Sequence, residues 1–510
     1  MPAKKRNIFT KILIWRYKHI SERQFLLVLS IFVGFLAGLG TVILKYLTLV
    51  IQSILEGGFI KNYYYSLYFI FPIIGVWLVY LIRKNFIKKE IGHGISTTLY
   101  SISKRSGIIE RYKMFTSLIS APITVGFGGS VGLQGPAVST GAAIGSNIAQ
   151  LFHMNTKTRM LLIGCATAGA MSSMFKAPVA AIVFAIEIFS LDLVFASLVP
   201  LLLASIAAVI TSYFFRGTDV LFGFQLEEAW RVKDILFYVF LGVATGVASI
   251  YFSKMYFLIT RFFERFSNAY VKIGIAAIAI GFMLYFIPPL YGEGYGLINN
   301  LLNGKTAEAL SGIQYAIDFE NVWMVVGILL VIAIFKAIAM TTTFAAGGVG
   351  GIFIPTLFMG SALGNAVAKI INQFGFDVSE SNFTLIGMTG LMAGVLHAPL
   401  TAIFLIAEIT GGYDLFVPLM LVATISYGFT KYFVPNSIYT ADLAKRGELI
   451  TNDKDKNALM MLKIDKVIEK NFVTLHADMT LGEMLKKGVS KSSRNLFPVV
   501  DEEAQFLGIV

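Results

Sequence analysis

The chain has 510 residues, of which 56% are apolar and 14% are charged. Soluble domains are about a quarter charged, so this composition argues against a soluble enzyme and predicts a protein whose solvent is lipid. The formal net charge is +12. Its lysines and arginines lie in short segments between apolar runs, where topology and anionic headgroups explain them, and we expect no nucleic-acid partner.

Apolar runs follow one another along the chain after a basic N-terminus. We predict a cytosolic basic helix over residues 1–24 and a first apolar run over 25–54, with the N-terminus in the cytoplasm because lysine and arginine favour that side. Charge-free runs of about 20 residues predict spanning helices. They cover 193–215, 235–253 and 274–292. Shorter or interrupted runs, which predict tilted or part-way helices, cover 67–82, 322–335 and 415–430.

Two distant segments share the pattern A-P-x-x-A-I-x-x-x-x-E. Their first and last residues are Ala177 and Glu187 in one copy and Ala398 and Glu408 in the other. A glycine-rich stretch ending in proline precedes each copy. We therefore predict a membrane domain over 25–450 with two related halves, about 25–216 and 235–435, and a substrate site between them. The pattern itself leaves open whether the repeats are parallel or inverted.

The two glycine-rich stretches have the chemistry of an anion site. Glycine lets the backbone approach a ligand, and Pro136 and Pro355 fit the first turn of a helix, where a missing N–H costs nothing. Free N–H groups and the helix dipole attract an anion by roughly 0.3–1 kcal/mol each. Neither stretch contains lysine or arginine, which favours conduction over tight capture. Glycines that serve only helix packing are the alternative.

An enzyme is a further alternative, because residues 128–132 match the G-x-S-x-G nucleophile elbow. That elbow needs a preceding strand and a matched acid and base, and this stretch lies where glycine is frequent. We therefore expect no catalytic residue. The chain has a single cysteine, Cys165, so an intrachain disulfide and a multi-thiolate metal site are excluded. We expect neither a metal nor a cofactor.

Three motifs make residues 23–447 resemble the CLC family of chloride channels and chloride/proton antiporters. They correspond to the family signatures G-S-G-I-P, G-(R/K)-E-G-P and G-x-F-x-P. Here they read Gly92-His93-Gly94-Ile95-Ser96, Gly132-Leu133-Gln134-Gly135-Pro136 and Gly351-Ile352-Phe353-Ile354-Pro355. The resemblance implies an all-α polytopic membrane protein with two inverted-topology repeats of broken or tilted helices. It also implies a homodimer in a prokaryotic plasma membrane, with one pore in each subunit.

The resemblance further implies which groups bind the anion. Expected contacts come from the backbone N–H groups of Ile352 and Phe353 and from the hydroxyl of Tyr439. His93 replaces the serine whose hydroxyl contacts the anion, and we expect it to line the pore. Gln134 stands where the family keeps its gating glutamate.

A second departure concerns the proton path of the antiporters. Their inner proton-carrying glutamate maps to Ile188, next to Glu187. We interpret Glu187 and Glu408 as structural carboxylates hydrogen-bonded within the protein.

These departures decide the expected function. An amide at 134 cannot take up a proton, so we expect passive conduction of chloride or a similar small anion without conventional proton coupling. The alternative is a chloride/proton antiporter whose gating glutamate is replaced, naturally or by engineering, by Gln134. Chloride, nitrate, bicarbonate and fluoride stay open, although the methionine characteristic of the fluoride branch is absent.

The last segment, residues 451–510, is predicted to be a polar linker followed by a small cytosolic α/β unit. It resembles the first part of a CBS module. A regulatory membrane sensor would need a complete pair able to bind an adenine nucleotide, and we expect no such pair here.

Overall fold

The computed structural model describes residues 16, 18–56, 67, 69–89, 94–190, 195–218, 222, 229–313, 317–448, 468, 472–492 and 494–510. Gly92 and His93 of the first motif, and most of the predicted helix over 1–24, lie outside the described residues. The chain forms two compact units, Met1–Leu449 and Ile450–Val510.

The first half of the larger unit is built from helices joined by short loops and turns. Its helices are α1 Glu22–Glu56, α2 Phe71–Ile82, α3 Gly94–Lys104, α4 Lys113–Gly126, α5 Gln134–Leu151, α6 Thr156–Phe175, α7 Pro178–Phe189 and α8 Phe195–Arg216. A π-helical turn, Arg83–Ile87, extends α2. Helix α6 begins where the side chain of Asn155 accepts a hydrogen bond from the N–H of Thr158 at 2.8 Å, as an N-cap does.

The second half has a matching order of helices. They are α9 Ile235–Glu264, α10 Ala269–Phe286, α11 Tyr295–Leu302, α12 Thr306–Ala309, α13 Val322–Ala345, α14 Phe353–Gln373, α15 Glu380–Leu396, α16 Pro399–Ile409, α17 Phe416–Phe433 and α18 Ala441–Lys445. Helices α13 to α17 repeat α4 to α8. The packing repeats as well, because α1, α6 and α8 pack on one another in the first half as α9, α15 and α17 do in the second.

Reciprocal hydrogen bonds between the two A-P helices establish how the halves are related. Glu187, at the end of α7, accepts from the N–H of Thr401 at 2.8 Å and from its hydroxyl at 2.6 Å, at the start of α16. Glu408, at the end of α16, accepts from the N–H of Ala180 at 2.8 Å, at the start of α7. The two helices are therefore antiparallel, and the repeats are inverted. Both carboxylates cap a helix N-terminus, as the structural interpretation predicted.

Glycines inside the helices bring neighbouring backbones together. A Cβ atom added to Gly360 of α14 would lie 2.5 Å from the carbonyl oxygen of Gly387 in α15. The corresponding helices of the first half are equally close, because a Cβ on Gly141 of α5 would lie 2.6 Å from the carbonyl oxygen of Ala166 in α6. The helix-packing role considered for glycine is thus correct within the helices.

Among the described residues, seven helices are long and apolar enough to cross a membrane, namely α1, α8, α9, α10, α13, α14 and α17. Two predicted boundaries were wrong. The run over 274–292 stops being one helix at Phe286, because Pro288 and Pro289 follow and form a separate 3₁₀ turn.

The second correction concerns the run over 322–335, which was expected to be part-way. It continues to Ala345 and forms a helix of 24 residues. The continuation passes Lys336, whose ammonium group is buried and donates to the hydroxyl of Ser130 at 2.9 Å and to the carbonyl of Gly292 at 3.1 Å. A buried lysine with such partners does not end a membrane helix.

The smaller unit contains a three-stranded sheet in the order β1 Leu475–His476, β2 Pro498–Val500 and β3 Phe506–Ile509. Strand β2 is parallel to β1 and antiparallel to β3. Between β1 and β2 lies helix α19, Leu481–Glu483, which begins with a capping box between Thr480 and Glu483 and continues as a π-helical turn. The predicted small α/β segment is thus present in the described part of this unit.

Candidate functional site

The two glycine-rich stretches meet through their backbones. Gly132 donates its N–H to the carbonyl of Gly351 at 2.9 Å, and Gly351 donates to the carbonyl of Gly132 at 2.7 Å. This antiparallel bridge needs glycine nearby, because a Cβ on Gly135 would lie 2.9 Å from the Cα of Gly351. The bridge brings the N-termini of α5 and α14 together from opposite halves of the domain.

The described part of the first motif reaches the same place. Gly94 begins α3 with φ at +46°, a conformation that favours glycine, and a Cβ there would lie 3.1 Å from the carbonyl oxygen of Gly135. Ile95 follows and is fully buried. All three motifs therefore converge over their described residues, while the positions of Gly92 and His93 are outside them.

Both helices leave their first N–H groups free of partners within the helix. The first turn of α14 closes with the N–H of Thr356 donating to the carbonyl of Ile352 at 3.1 Å, and that of α5 with Ala137 donating to Leu133 at 3.0 Å. The N–H groups of Ile352, Phe353 and Ile354 precede this closure. Pro136 and Pro355 lie in the first turns, as predicted. These ends carry the partial positive charge of two helix dipoles.

The ring of Phe353 is buried and packs against Phe175 at a centroid distance of 5.3 Å. Its side chain therefore belongs to the core, which leaves the backbone N–H as the polar group that this residue offers.

Gln134, at the start of α5, is fully buried. Its amide nitrogen donates to the hydroxyl of Tyr295 at 3.2 Å. Its Oε1 has no hydrogen-bond partner among the described residues. A buried polar atom in this condition marks a place where a ligand or water is accommodated.

Tyr439 lies in the turn before α18 and is 6% exposed. Its hydroxyl also lacks a partner within the described ranges. It lines a cavity of about 390 Å³ together with Ser96 and Thr97 of α3 and with the basic residues Lys113 and Arg446. In its lining the basic residues Arg105, Lys113 and Arg446 outnumber the acidic residues Glu110 and Asp442, which favours anions over cations.

Ile188 is buried in α7 beside the capping residue Glu187. Gln134 and Ile188 are both uncharged, so neither side chain can titrate. No three His, Cys, Asp or Glu side chains of the described segments are grouped closely enough to hold a metal ion.

A group of charged residues next to Gln134 was not predicted from the sequence. Glu293, in the turn before α11, accepts a hydrogen bond from the N–H of Leu133 at 3.0 Å. Lys45 of α1 and Lys336 of α13 are buried and interact electrostatically with it. Glu293, Lys45 and Leu133 line a cavity of about 410 Å³. The sequence signal that could have identified this group was a lone lysine within an apolar run, because a charged residue in such a run is a candidate for a functional role.

A family model described as voltage gated chloride channel matches residues 74–431. A putative chloride channel protein ClcB-like from Ralstonia nicotianae is 27% identical over 365 residues, which is 69% of this chain and 80% of that protein. The H(+)/Cl(-) exchange transporter ClcA of Vibrio cholerae is 27% identical over 328 residues, which is 62% of this chain and 66% of that protein.

Solved structures share the fold. A slow cyanobacterial Cl−/H+ antiporter superposes with a TM-score of 0.69 at 19% identity and covers 84% of this chain and 98% of its own. A eukaryotic CLC transporter gives a TM-score of 0.66 at 18% identity and covers 95% of this chain and 86% of its own. At these identities the likeness is one of architecture.

Proposed function

Because the chain belongs to the voltage gated chloride channel family, whose members are multi-pass anion transporters and channels, we propose that it conducts chloride or a similar small anion passively. Conduction has no conventional proton coupling. The pore lies within each subunit of a homodimer in the lipid bilayer of a prokaryotic plasma membrane. The N-terminus and the C-terminal tail face the cytoplasm, and no cofactor takes part.

The backbone bridge between Gly132 and Gly351 carries this proposal. It brings the N-termini of α5 and α14 to one point, where their free N–H groups replace part of the hydration shell of an anion. Neither loop offers a full positive charge to the ion directly, so an ion held there is also released. The unpartnered hydroxyl of Tyr439 and the amide oxygen of Gln134 support a path that is filled by ions or water when the protein works.

The proposal of uncoupled conduction rests on residues 134 and 188. An amide and an aliphatic side chain stand at the two positions where the related antiporters carry protons, and neither exchanges a proton near neutral pH. Conduction without protons is therefore the simplest mechanism for this chain.

A chloride/proton antiporter with Gln134 in place of the gating glutamate is the second candidate. One observation favours it, namely the carboxylate of Glu293, whose Oε1 lies 3.5 Å from the amide nitrogen of Gln134. That carboxylate could take up protons close to residue 134, where the related antiporters have their gating glutamate.

Chloride efflux from liposomes tests the proposal. Purified protein is reconstituted, a potassium ionophore is added to release the membrane voltage, and chloride is recorded with an electrode. We expect efflux well above that of protein-free liposomes and independent of an added proton ionophore. Efflux equal to the protein-free control would contradict anion transport, and efflux that requires the proton ionophore would favour the antiporter.

A further inference from the structure

The carboxylate of Glu293 occupies the place where the N-terminus of α5 offers its N–H groups. Its Oε1 accepts from the N–H of Leu133 at 3.0 Å. The amide nitrogen of Gln134 and the hydroxyl of Tyr295 each lie 3.5 Å from the same oxygen. An acidic side chain from a turn 160 residues away in sequence thus binds as an anion would.

Glu293 also faces open space. It lines the cavity of about 410 Å³ with Thr48, Gln52 and Arg216. The carboxylate therefore lies at the boundary between this cavity and the buried loop, and it has room to withdraw into the cavity. Leu133, whose N–H it holds, lines the same cavity.

Buried cations surround the carboxylate without neutralising it through short ion pairs. Lys336 donates to Ser130 and to the carbonyl of Gly292, and Lys45 donates to the carbonyl of Met174 at 3.1 Å. Both interact electrostatically with Glu293, as does Arg216 at the end of α8. Their combined field attracts any anion that enters the cavity, whether it is the side chain or an ion in solution.

The cavity lies toward the far end of α1 from the N-terminus. Lys45, Thr48 and Gln52 all belong to the last third of Glu22–Glu56. With the N-terminus in the cytoplasm, as proposed above, this cavity opens to the outside of the cell.

We propose that Glu293 is the outer gate of the anion path, and that its carboxylate competes with the permeant anion for the N–H of Leu133 at the start of α5. The gate has moved to a separate turn, while the family position at 134 holds the amide that contacts it. The inference rests on the proposed function. An anion passes when the carboxylate withdraws into the cavity or is neutralised by a proton. The groups that face it are Lys45, Arg216, Lys336 and Tyr295, of which the three cations favour the charged, closed form.

The test compares Glu293→Gln with the wild type in chloride efflux from liposomes at symmetric pH of about 7.5 and about 4, which lie on either side of the reference pKa of a glutamate carboxyl group, about 4.3. If the gate is open for about a tenth to a third of the time, flux is reduced to about the same fraction of its ungated value. Its removal should therefore raise flux at the higher pH roughly three- to ten-fold. We expect acid to increase wild-type flux and to have much less effect on Glu293→Gln.

Glu308→Gln is the matched control, because Glu308 is exposed and, among the described residues, forms its ion pair with Lys305 at the surface. It should keep both the wild-type rate and the wild-type pH response. If Glu293→Gln keeps the wild-type rate and the wild-type pH response, the inference is overturned and Glu293 is a structural cap of α5.

A structural cap makes a different prediction, namely a less stable protein with equal or lower flux. If Glu293→Gln does not give monodisperse protein, Glu293→Asp decides, because its shorter side chain keeps the charge but draws back from the N–H of Leu133. Raised flux in Glu293→Asp supports the gate, and unchanged flux refutes it. If the wild type itself moves no anions, the proposed function fails. Chloride binding by calorimetry then tests the competition alone, with tighter binding expected in Glu293→Gln and equal binding overturning it.

Discussion

Replacing Gln134 by glutamate would place two carboxylates against each other. The amide nitrogen of Gln134 lies 3.5 Å from Oε1 of Glu293. Two negative charges at that separation repel by about 5 kcal/mol at an effective dielectric constant of about 20. That exceeds the cost of protonating either group at neutral pH, so the pair in Gln134→Glu shares one proton and keeps one negative charge.

In the wild type the negative charge leaves the N-terminus of α5 when Glu293 withdraws, whereas in Gln134→Glu it can stay there on residue 134. We therefore expect flux in Gln134→Glu to fall below wild type near pH 7 and to recover in acid. Sharing a proton stabilises the singly charged pair. Recovery should therefore need more acid than in the double variant Gln134→Glu with Glu293→Gln, which carries one carboxylate. Chloride efflux measured across a pH series gives both midpoints.

Two outcomes would refute this reasoning. Flux in Gln134→Glu that equals wild type at every pH would mean that residue 134 does not face the anion path. Identical midpoints in the single and double variants would mean that residues 134 and 293 do not interact, contrary to the contact in the structure.

Three other changes have definite expectations. Glu187→Ala or Glu408→Ala removes a helix cap and should cost about 1–3 kcal/mol of stability, seen as a lower melting temperature in detergent. The exposed Glu308→Ala should melt like the wild type, and a wild-type melting temperature in the two cap variants would contradict the capping role. Tyr439→Phe should leave melting unchanged and weaken chloride binding about ten-fold by calorimetry, as loss of one hydrogen bond to a charge does, and unaltered affinity would remove Tyr439 from the site. His93→Ser should flatten the dependence of efflux on cytosolic pH between about 5.5 and 7.5, the window of a free imidazole, while conduction persists; a retained response would make His93 a packing residue.

The fold could be predicted from the sequence where a pattern repeats locally. The two A-P segments identified two halves, and their terminal glutamates proved to be caps. The relative direction of the halves was implied only by the family resemblance, because it depends on which N-terminus each glutamate reaches. Glu187 and Thr401 are 214 residues apart, and no local periodicity encodes such a contact.

The site was predicted in part for the same reason. A glycine-rich loop followed by a proline predicts a helix N-terminus in any sequence, so Gly132, Pro136 and Gly351 were identified as site residues. Glu293 was missed, since a single acid in a glycine-rich turn has no local mark of function. Lys336 was missed because a charged residue directly after the apolar run 322–335 predicts the end of a membrane helix, although a buried lysine with carbonyl partners lets the helix continue.

The central claim is anion conduction without proton coupling, and uphill proton movement tests it most directly. Protein is reconstituted in liposomes with a chloride gradient and equal pH on both sides, and a pH dye reports protons. With Gln134 and Ile188 unable to titrate, the chloride gradient should drive no proton movement beyond that of protein-free liposomes. Protons that move against their gradient in a fixed ratio to chloride would contradict the account.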